Sequence, residues 1–473
     1  MRMEDTICAL STPQGMGAIA MIRLSGPEAF KIFNQVFTPF RKDLSLKTAP
    51  GYSMLFGKIT EGNKTVDEVM AGIFRNPHSY TGEDTIEISC HGSTYIQEQI
   101  LKLLIAHGAR LAEPGEYTMR AFANGKMDLS QAEAVADLIA SESAASHRVA
   151  LQQMRGGFSE EIKVLREELI NFASLVELEL DFAEEDVEFA DRQQLQDLLE
   201  KIKKVLKRLI DSFATGNVIK NGVPVAIVGA PNAGKSTLLN TLLNEERAIV
   251  TEVAGTTRDA IEDEISLGGI KFRFIDTAGI RETEDVVESI GIRKTFEKIE
   301  QSQVVLYLFN VESLVTLSGV EGQDFSEVIK NEINQLKAKT QGKTLLIVAN
   351  KMDLVDIHSV ESSLANLDAD LLRISALEKT GIEELIQCLT AEVNLEALNS
   401  NQTIVTNARH YDALNKAFSD IQKVEEGLEN QISGDFLAMD IREALKHLGS
   451  IIGEVETDRD ILGNIFGKFC IGK

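Results

Sequence analysis

The chain has 473 residues, 44% of them hydrophobic, and its 73 Asp and Glu against 48 Lys and Arg leave a net charge of −25. That length suits about three domains of ~100–200 residues, each able to bury a core. The acidic balance excludes holding nucleic acid by bulk electrostatics, because phosphates need cationic surface, so a local patch or a basic partner must supply any such attraction.

Residues 1–124 mix strand-like and turn-like segments. Ala18-Ile19-Ala20-Met21-Ile22-Arg23-Leu24 reads as a strand closed by Ser25-Gly26-Pro27. Thr85-Ile86-Glu87-Ile88-Ser89 alternates apolar and polar residues, as a half-buried strand does. Gly and Pro punctuate this region more densely than the next one, which predicts a separate α+β domain.

From Asp128 to about Ser212 the chain is Ala-, Leu- and Glu-rich and has no proline. Apolar residues recur at helical spacing at Leu165, Leu169, Phe172 and Val176. They recur again at Leu195, Leu198, Leu199, Ile202, Val205, Leu206 and Leu209. Ser130 followed by Glu133 has the form of a capping box, and Thr215-Gly216-Asn217 is the expected end of the last helix. The acidic run Glu177, Glu179, Asp181, Glu184, Glu185, Asp186, Glu188 is either a metal site or a solvated charged stretch. The second is preferred, because nothing in the run fixes ligand geometry.

An α/β unit occupies 221–393, and helical sequence resumes at Ala408. Helices on both sides predict one discontinuous α-helical domain, 125–220 and 394–473, with the α/β unit looped out of it. Two independent helical units are the alternative.

Within the α/β unit, the apolar strand Val223–Val228 leads into Gly229-Ala230-Pro231-Asn232-Ala233-Gly234-Lys235-Ser236, and a helix is expected from Ser236 to Leu243. Strand, glycine-rich loop and helix are the context a phosphate loop requires. Backbone N–H groups of the loop, through Ala233, Gly234 and Thr237, and the positive end of the helix would cradle phosphates. Lys235 would reach the β- and γ-phosphates, and the Ser236 hydroxyl would ligate Mg2+.

Asp276-Thr277-Ala278-Gly279 follows the strand Phe272–Ile275, and Asn350-Lys351-Met352-Asp353 follows Leu345–Ala349. Asp353 can accept from guanine N1 and N2 hydrogens, which adenine does not offer in that arrangement, so the nucleotide is GTP. Ser375-Ala376 falls where a Ras-like P-loop G domain closes over the base. Thr251-Glu252-Val253-Ala254-Gly255-Thr256-Thr257 lies between phosphate loop and Asp276, in the position of the first switch, with Thr257 as the expected second Mg2+ hydroxyl.

Ile280 follows Gly279, where Ras-type GTPases carry a water-orienting Gln. An aliphatic side chain cannot orient water, so either another residue does so or the domain is a binding switch. Glu288 can polarise water, and its alternative is an ordinary exposed helix residue. Asn232 suits a turn; it also offers an oxygen to a monovalent cation, which would replace an arginine finger electrostatically.

Four cysteines, Cys8, Cys90, Cys388 and Cys470, show no metal or disulfide spacing, a usage that fits a reducing cytoplasm. The opening Met1-Arg2-Met3-Glu4-Asp5 has no apolar signal core, and no run approaches the ~18 apolar residues of a membrane helix. The expected location is cytoplasmic, without membrane contact.

From end to end the sequence resembles the MnmE (TrmE) family of tRNA-modifying GTPases. The resemblance is carried by Thr81-Gly82-Glu83-Asp84 with Cys90-His91-Gly92, by Pro114-Gly115-Glu116-Tyr117-Thr118 with Arg120-Ala121-Phe122, and by Lys126-Met127-Asp128-Leu129-Ser130-Gln131-Ala132-Glu133-Ala134. Ala254-Gly255-Thr256-Thr257-Arg258-Asp259 and Phe469-Cys470-Ile471-Gly472-Lys473 complete it. The last motif is the most specific.

The resemblance implies a GTPase that works with a flavoprotein partner, MnmG, which carries the FAD and joins it in a heterotetramer. Together they would add a carboxymethylaminomethyl group to C5 of the wobble uridine, position 34, of certain tRNAs. The one-carbon unit would come from 5,10-methylene-tetrahydrofolate on an N-terminal folate-binding domain, with Arg23, Glu87, Lys126 and Lys473 as contacts. It further implies a homodimer through the N-terminal domains and G domains that pair in a K+-dependent way. The K+ ligands would be Asn232, Thr251, Val253 and Thr256, and Glu288 falls at the catalytic glutamate position. Cys470 is either a nucleophilic thiol or a residue lining the folate pocket. A rival reading, a GTP-dependent ribosome-assembly or interaction factor without tRNA chemistry, is disfavoured by the terminal motif and the N-terminal module.

Overall fold

The computed structural model describes residues 4–41, 45–181, 192–247, 263–275, 299–316, 325–367, 369–391, 403–430, 432, 434–454, 465–467, 469 and 472. Compactness divides the chain into two units, residues 1–139, 152–203 and 413–473 in the first and residues 140–151 and 204–412 in the second.

The first unit opens with an α+β region. Its strands are β1 (Ile7–Leu10), β2 (Ile19–Ser25), β3 (Phe37–Pro39), β4 (Ser53–Glu61), β5 (Lys64–Phe74), β6 (Thr85–His91) and β7 (Arg110–Leu111). Among the described residues they form a seven-stranded sheet in the order β3-β4-β5-β6-β2-β1-β7. All its pairings are antiparallel except β1 with β7. Alternation sets the faces. Ala20, Ile22 and Leu24 of β2 enter a core with Ile86 and Ile88 of β6 and with residues of the helices α1 (Ala29–Val36) and α2 (Thr94–Ala106). The intervening Arg23 and Glu87 fall on the other face, directly opposite each other in the register.

Helix α3 (Glu116–Ala123) leads to α4 (Leu129–Ile139). The cap of α4 lies two residues before the expected Ser130. Asp128 Oδ1 accepts from the Gln131 N–H and Gln131 Oε1 from the Asp128 N–H, each at 3.0 Å. Asp and Gln thus perform the reciprocal capping that Ser130 and Glu133 were expected to perform, and Ser130 is buried within the helix. Next come α5 (Ala144–Met154), α6 (Gly157–Asp181) and α7 (Arg192–Asn221). The stripe Leu165, Leu169, Phe172 and Val176 is buried as its spacing predicts.

The expected helix end at Gly216 is not an end, since α7 continues to Asn221. Gly216 is where the segment around Val405 crosses the helix: a Cβ there would lie 2.0 Å from the Val405 carbonyl oxygen. The glycine allows a close approach and does not terminate the helix.

The second unit holds β8 (Val223–Val228), α8 (Lys235–Arg247), β9 (Asp263–Leu267), β10 (Ile270–Phe274), β11 (Val304–Asn310), α9 (Ser313–Thr316), α10 (Phe325–Lys339), β12 (Thr344–Asn350), α11 (Ile357–Ala365), β13 (Leu371–Arg373) and α12 (Ile382–Ala391). Its six-stranded sheet runs β13-β12-β11-β8-β10-β9 among the described residues, parallel except for the β9–β10 hairpin. Val304–Phe309 is buried throughout, as a central parallel strand covered on both faces must be.

Helices α13 (Ala408–Glu429) and α14 (Gly434–Ile452) follow. In the first unit α14 packs along α6, and Arg166 of α6 donates to the Leu445 carbonyl and to Glu454. Helical sequence from before and after the α/β unit is therefore packed together. Among the described residues no helix is long and apolar enough to cross a membrane.

Candidate functional site

The second unit assembles its site at the carboxyl ends of its parallel strands, the usual ligand edge of such sheets. β8 delivers the phosphate loop, β12 delivers Asn350 and β13 delivers Ser375. Three backbone features shape the loop. Gly229 has φ +153° and a Cβ there would lie 2.0 Å from the Leu308 carbonyl oxygen. Asn232 is left-handed at φ +62°, a conformation Asn tolerates better than most residues. Gly234, at φ +97°, leaves room for Asn350, whose Nδ2 would be 2.2 Å from a Cβ. Lys235 Nζ donates to the Gly229 and Ala230 carbonyls at 2.7 and 2.9 Å, so the ammonium lies across the loop. Ser236 and Thr237 follow it on the first turn of α8.

Asn350 is buried and joins three motifs. Its Nδ2 donates to the Ala233 carbonyl at 2.9 Å, and its Oδ1 accepts from the Ala376 N–H at 3.0 Å. Lys351 is left-handed at φ +66°, which turns the chain between Asn350 and Asp353. Ser375 Oγ donates to Asp353 Oδ1 at 2.5 Å and accepts from the Glu378 N–H. Thr241 of α8 donates to the Ala376 carbonyl at 2.8 Å. Sequence reasoning missed Thr241, and no motif marks it. Asn232, Ala233, Gly234, Lys235, Ser236, Asn350, Lys351, Asp353, Ser375 and Ala376 are thus brought to one edge. Thr251, Glu252, Val253, Ala254, Gly255, Thr256, Thr257, Asp276, Thr277, Ala278, Gly279 and Glu288 lie outside the described residues.

The first unit carries a second group of expected residues. Arg23 Nη2 and Nε both donate to Glu87 Oε1, at 2.7 and 3.0 Å, which leaves Oε2 as an acceptor. The guanidinium stacks on the rings of Tyr80 and Tyr117, 5.2 and 5.4 Å from their centroids. The Tyr117 hydroxyl donates to the Arg23 carbonyl at 2.8 Å. Burial pushes the Tyr80 and Tyr117 phenols up, so both stay neutral donors. These two aromatics were not among the expected site residues. Lys126 Nζ is exposed and donates to the Pro77 carbonyl at 2.9 Å.

The terminal motif reaches the same region. A Cβ on Gly472 would lie 2.3 Å from the Leu10 carbonyl oxygen, and Ser11 Oγ donates to the Gly472 carbonyl at 3.2 Å. Leu10 is the register partner of Ile22, beside Arg23. Phe466 and Phe469 pack with Met119, Leu129 and Ala132. Cys470 and Lys473 lie outside the described residues, as do Glu184, Glu185, Asp186 and Glu188 of the acidic run. Among the described residues no group of His, Cys, Asp and Glu is arranged to hold a metal ion.

Several family-like motif residues are structural. Arg120, 1% exposed, binds Asp5, Glu116 and Glu83 at 2.7, 2.9 and 3.1 Å. Arg110 binds Glu116 and Asp5 at 2.6 and 2.8 Å. Hydrogen bonding to Arg110, aided by Arg120, holds the Asp5 carboxyl below its usual range. Burial opposes the same shift in Glu116, and Arg110, the Glu113 N–H and Arg120 together outweigh it. His91 Nδ1 lies 2.7 Å from Asp67, and Gly92 passes so close to Gly17 that a Cβ would be 2.3 Å from its carbonyl oxygen. Burial pushes the Cys8 and Cys90 thiols up to about 12 and about 11, so neither is a thiolate at neutral pH.

Residues 6–126 match the family described as GTP-binding protein TrmE N-terminus, and residues 129–470 match the MnmE helical domain. A protein named tRNA modification GTPase MnmE from Flavobacterium johnsoniae is 61% identical over 474 residues, covering 99% of each chain. One of the same name from Christiangramia forsetii is 59% identical over 482 residues, covering 100% of each. Among solved structures, the FeoB G domain from Methanococcus jannaschii is 26% identical over 36% of this chain and 96% of its own, with a TM-score of 0.23.

Proposed function

The chain belongs to the MnmE family of tRNA modification GTPases, and from that premise we propose that it is the GTP-hydrolysing subunit of a wobble-uridine modification complex. The observation that carries the nucleotide half is the pair of hydrogen bonds by which Asn350 donates to the Ala233 carbonyl and accepts from the Ala376 N–H. It sets the guanine-reading Asp353 and the phosphate loop at a fixed separation, as one ligand spanning base and phosphates requires.

In this reading the loop amides and Lys235 hold the phosphates. Ser236 fits Mg2+ as a hard oxygen ligand at the head of α8, with Thr257 as the second hydroxyl. Asn232, exposed in the loop, offers K+ an amide oxygen, joined by Thr251, Val253 and Thr256. Bound there, the cation supplies the positive charge that an arginine finger supplies elsewhere. Glu288 polarises the attacking water, since Ile280 cannot.

The Arg23–Glu87 pair supports a folate site. Glu87 Oε2 can accept from a pterin's amino-pyrimidinone edge, and the guanidinium beside it is held against the rings of Tyr80 and the buried Tyr117. Lys126 and Lys473 would meet the cofactor's carboxylates, and the docking of Gly472 beside β1, next to the strand that carries Arg23, supports a role for the terminal motif at that site. The bound cofactor, 5,10-methylene-tetrahydrofolate, supplies the one-carbon unit. The flavin belongs to the partner flavoprotein, MnmG, which with a net charge of −25 on this chain also supplies most of the tRNA-binding surface. Exposed Tyr52, Met54, Phe56 and Phe40 at one end of the N-terminal sheet support a homodimer there. The location is cytoplasmic.

The deciding experiment is nucleoside analysis of tRNA from cells lacking the protein, with GTPase rates compared in K+ and Na+. Loss of the C5 modification at position 34 and a K+-dependent rate are expected. Unchanged wobble uridine would overturn the tRNA role and return the chain to the ribosome-assembly class. Equal rates in the two cations would overturn the K+ site.

A further inference from the structure

The β9–β10 hairpin stands in the chain between Thr257 and Asp276, the two expected switch segments. Its Gly268-Gly269 tip meets the start of α5, within the same compact unit. Helix first turns leave N–H groups without helical partners. In α5 the Ser143 side chain satisfies the Ser146 N–H at 3.1 Å, and the Gly269 carbonyl of the hairpin satisfies the Ala145 N–H at 3.2 Å. Gly269 has φ +79°, and a Cβ on it would touch Ala144 at 3.4 Å.

Two residues after Gly269, Lys271 is largely buried between two carboxylates. Its Nζ is 2.7 Å from Glu142, just before α5, and 2.6 Å from Glu264 on the neighbouring strand. Its stem lies against Gly222, the residue between α7 and β8, where a Cβ would be 3.1 Å from Lys271 Cγ. Ala145 and Val149 of α5 are buried with Ile219 of α7 and with Ile404. Neither Glu142 nor Lys271 has a part in holding nucleotide.

We infer that Lys271 and Glu142 form a coupling latch through which the hairpin between the switch segments passes its position to α5. The inference rests on the GTP reading above. The grip consists of one backbone hydrogen bond, contacts of small apolar residues and an ion pair whose glutamate is 54% exposed. An ion pair of that exposure is weak, so the grip can be made and released in each nucleotide cycle. Lys271 and Glu142 are positioning residues, acting on the hairpin and not on the nucleotide.

The test is hydrogen exchange of the full-length protein with GDP and with a non-hydrolysable GTP analogue. In the unmodified protein, amides of residues 144–151 should differ in protection between the two nucleotides by at least about threefold, a local opening effect. In Lys271→Met the hairpin amides should keep their nucleotide response while those of α5 lose it, and Lys271→Arg should restore it. Glu142→Gln cuts the same pair from its exposed side if Lys271→Met fails to fold. Equal α5 protection in both nucleotides, or a full α5 response in Lys271→Met or Glu142→Gln, would overturn the latch. A protein that binds neither nucleotide would instead sink the GTP reading, a result the same titration separates from the first.

Discussion

Asn350 and Ala233, 117 residues apart, share a buried hydrogen bond in which the side-chain amide of one donates to the backbone carbonyl of the other at 2.9 Å. Because Asn350 also accepts from the Ala376 N–H, one side chain holds three motifs in register. Asn350→Ala strands a buried carbonyl and a buried amide at ~1–3 kcal/mol each. The α/β unit should lose about 2–6 kcal/mol of stability and GTP affinity should fall at least about tenfold. Thermal unfolding with and without GTP measures both; unchanged affinity would show that the bond serves the fold alone.

In the proposed GTP site Asp353 meets the base, with Ser375 anchoring Oδ1. Asp353→Asn replaces one acceptor with a donor. Charge-assisted hydrogen bonds contribute about 1.5–3 kcal/mol, so GTP should bind roughly 10- to 150-fold more weakly. Xanthosine triphosphate, which has a carbonyl where guanine has its amino group, should gain affinity. Competition titrations with the two nucleotides decide it, and an undiminished preference for GTP would remove Asp353 from base recognition.

The Arg110–Arg120 network gives the first unit an acid limit. Asp5 and Glu116 titrate below their ordinary 3.8 and 4.5 in the folded protein. Their contribution is therefore fully present above those values and is lost as pH falls through the depressed folded ones. Arg120→Met takes the arginine from Glu83 and leaves Asp5 and Glu116 to Arg110 alone, and removing one partner of a buried ion-pair network typically costs about 3–5 kcal/mol. The first unit should then unfold at higher pH than the parent, as followed by circular dichroism across pH 3–7, in steps of about one unit, with exchange locating the loss. An unshifted acid transition would contradict this account.

Gly115 is left-handed at φ +68°, and a Cβ on it would lie 2.5 Å from the Phe466 carbonyl oxygen. Gly115→Ala should displace the Phe466–Gly472 segment, at a backbone cost of about 1–2 kcal/mol. GTPase rate should stay within about twofold, a change of ~0.4 kcal/mol, while wobble modification falls sharply. Steady-state hydrolysis and tRNA nucleoside analysis on one preparation would show the separation. If both activities fall together, the tail also acts on the nucleotide site.

The G-domain motifs were legible because a phosphate loop is local chemistry, in which glycines at fixed offsets permit backbone angles that other residues resist. Asn350 was readable as part of such a motif, but its bonds to Ala233 and Ala376 depend on how three strands are ordered. Helical stripes such as Leu165 to Val176 were legible from their period. Helix ends were less so: Gly216 resembles a terminator until Val405 is seen crossing it, and the true cap of α4 is Asp128 with Gln131. Glu83, Glu116 and Arg120 were visible as motif members. Nothing in a linear sequence says that such charges face one another instead of a ligand.

The packing of Phe466 and Phe469 on Met119 and Leu129, with Gly472 beside Leu10, has a practical consequence for dissection of the protein. A fragment cut at residue 124 or 126 would keep the whole N-terminal sheet and still bare the apolar side of α3. Failure of such a fragment to bind folate would then report the missing tail as readily as a missing site. Deleting the α/β unit and joining its flanks with a linker keeps those contacts and is the sounder reduction.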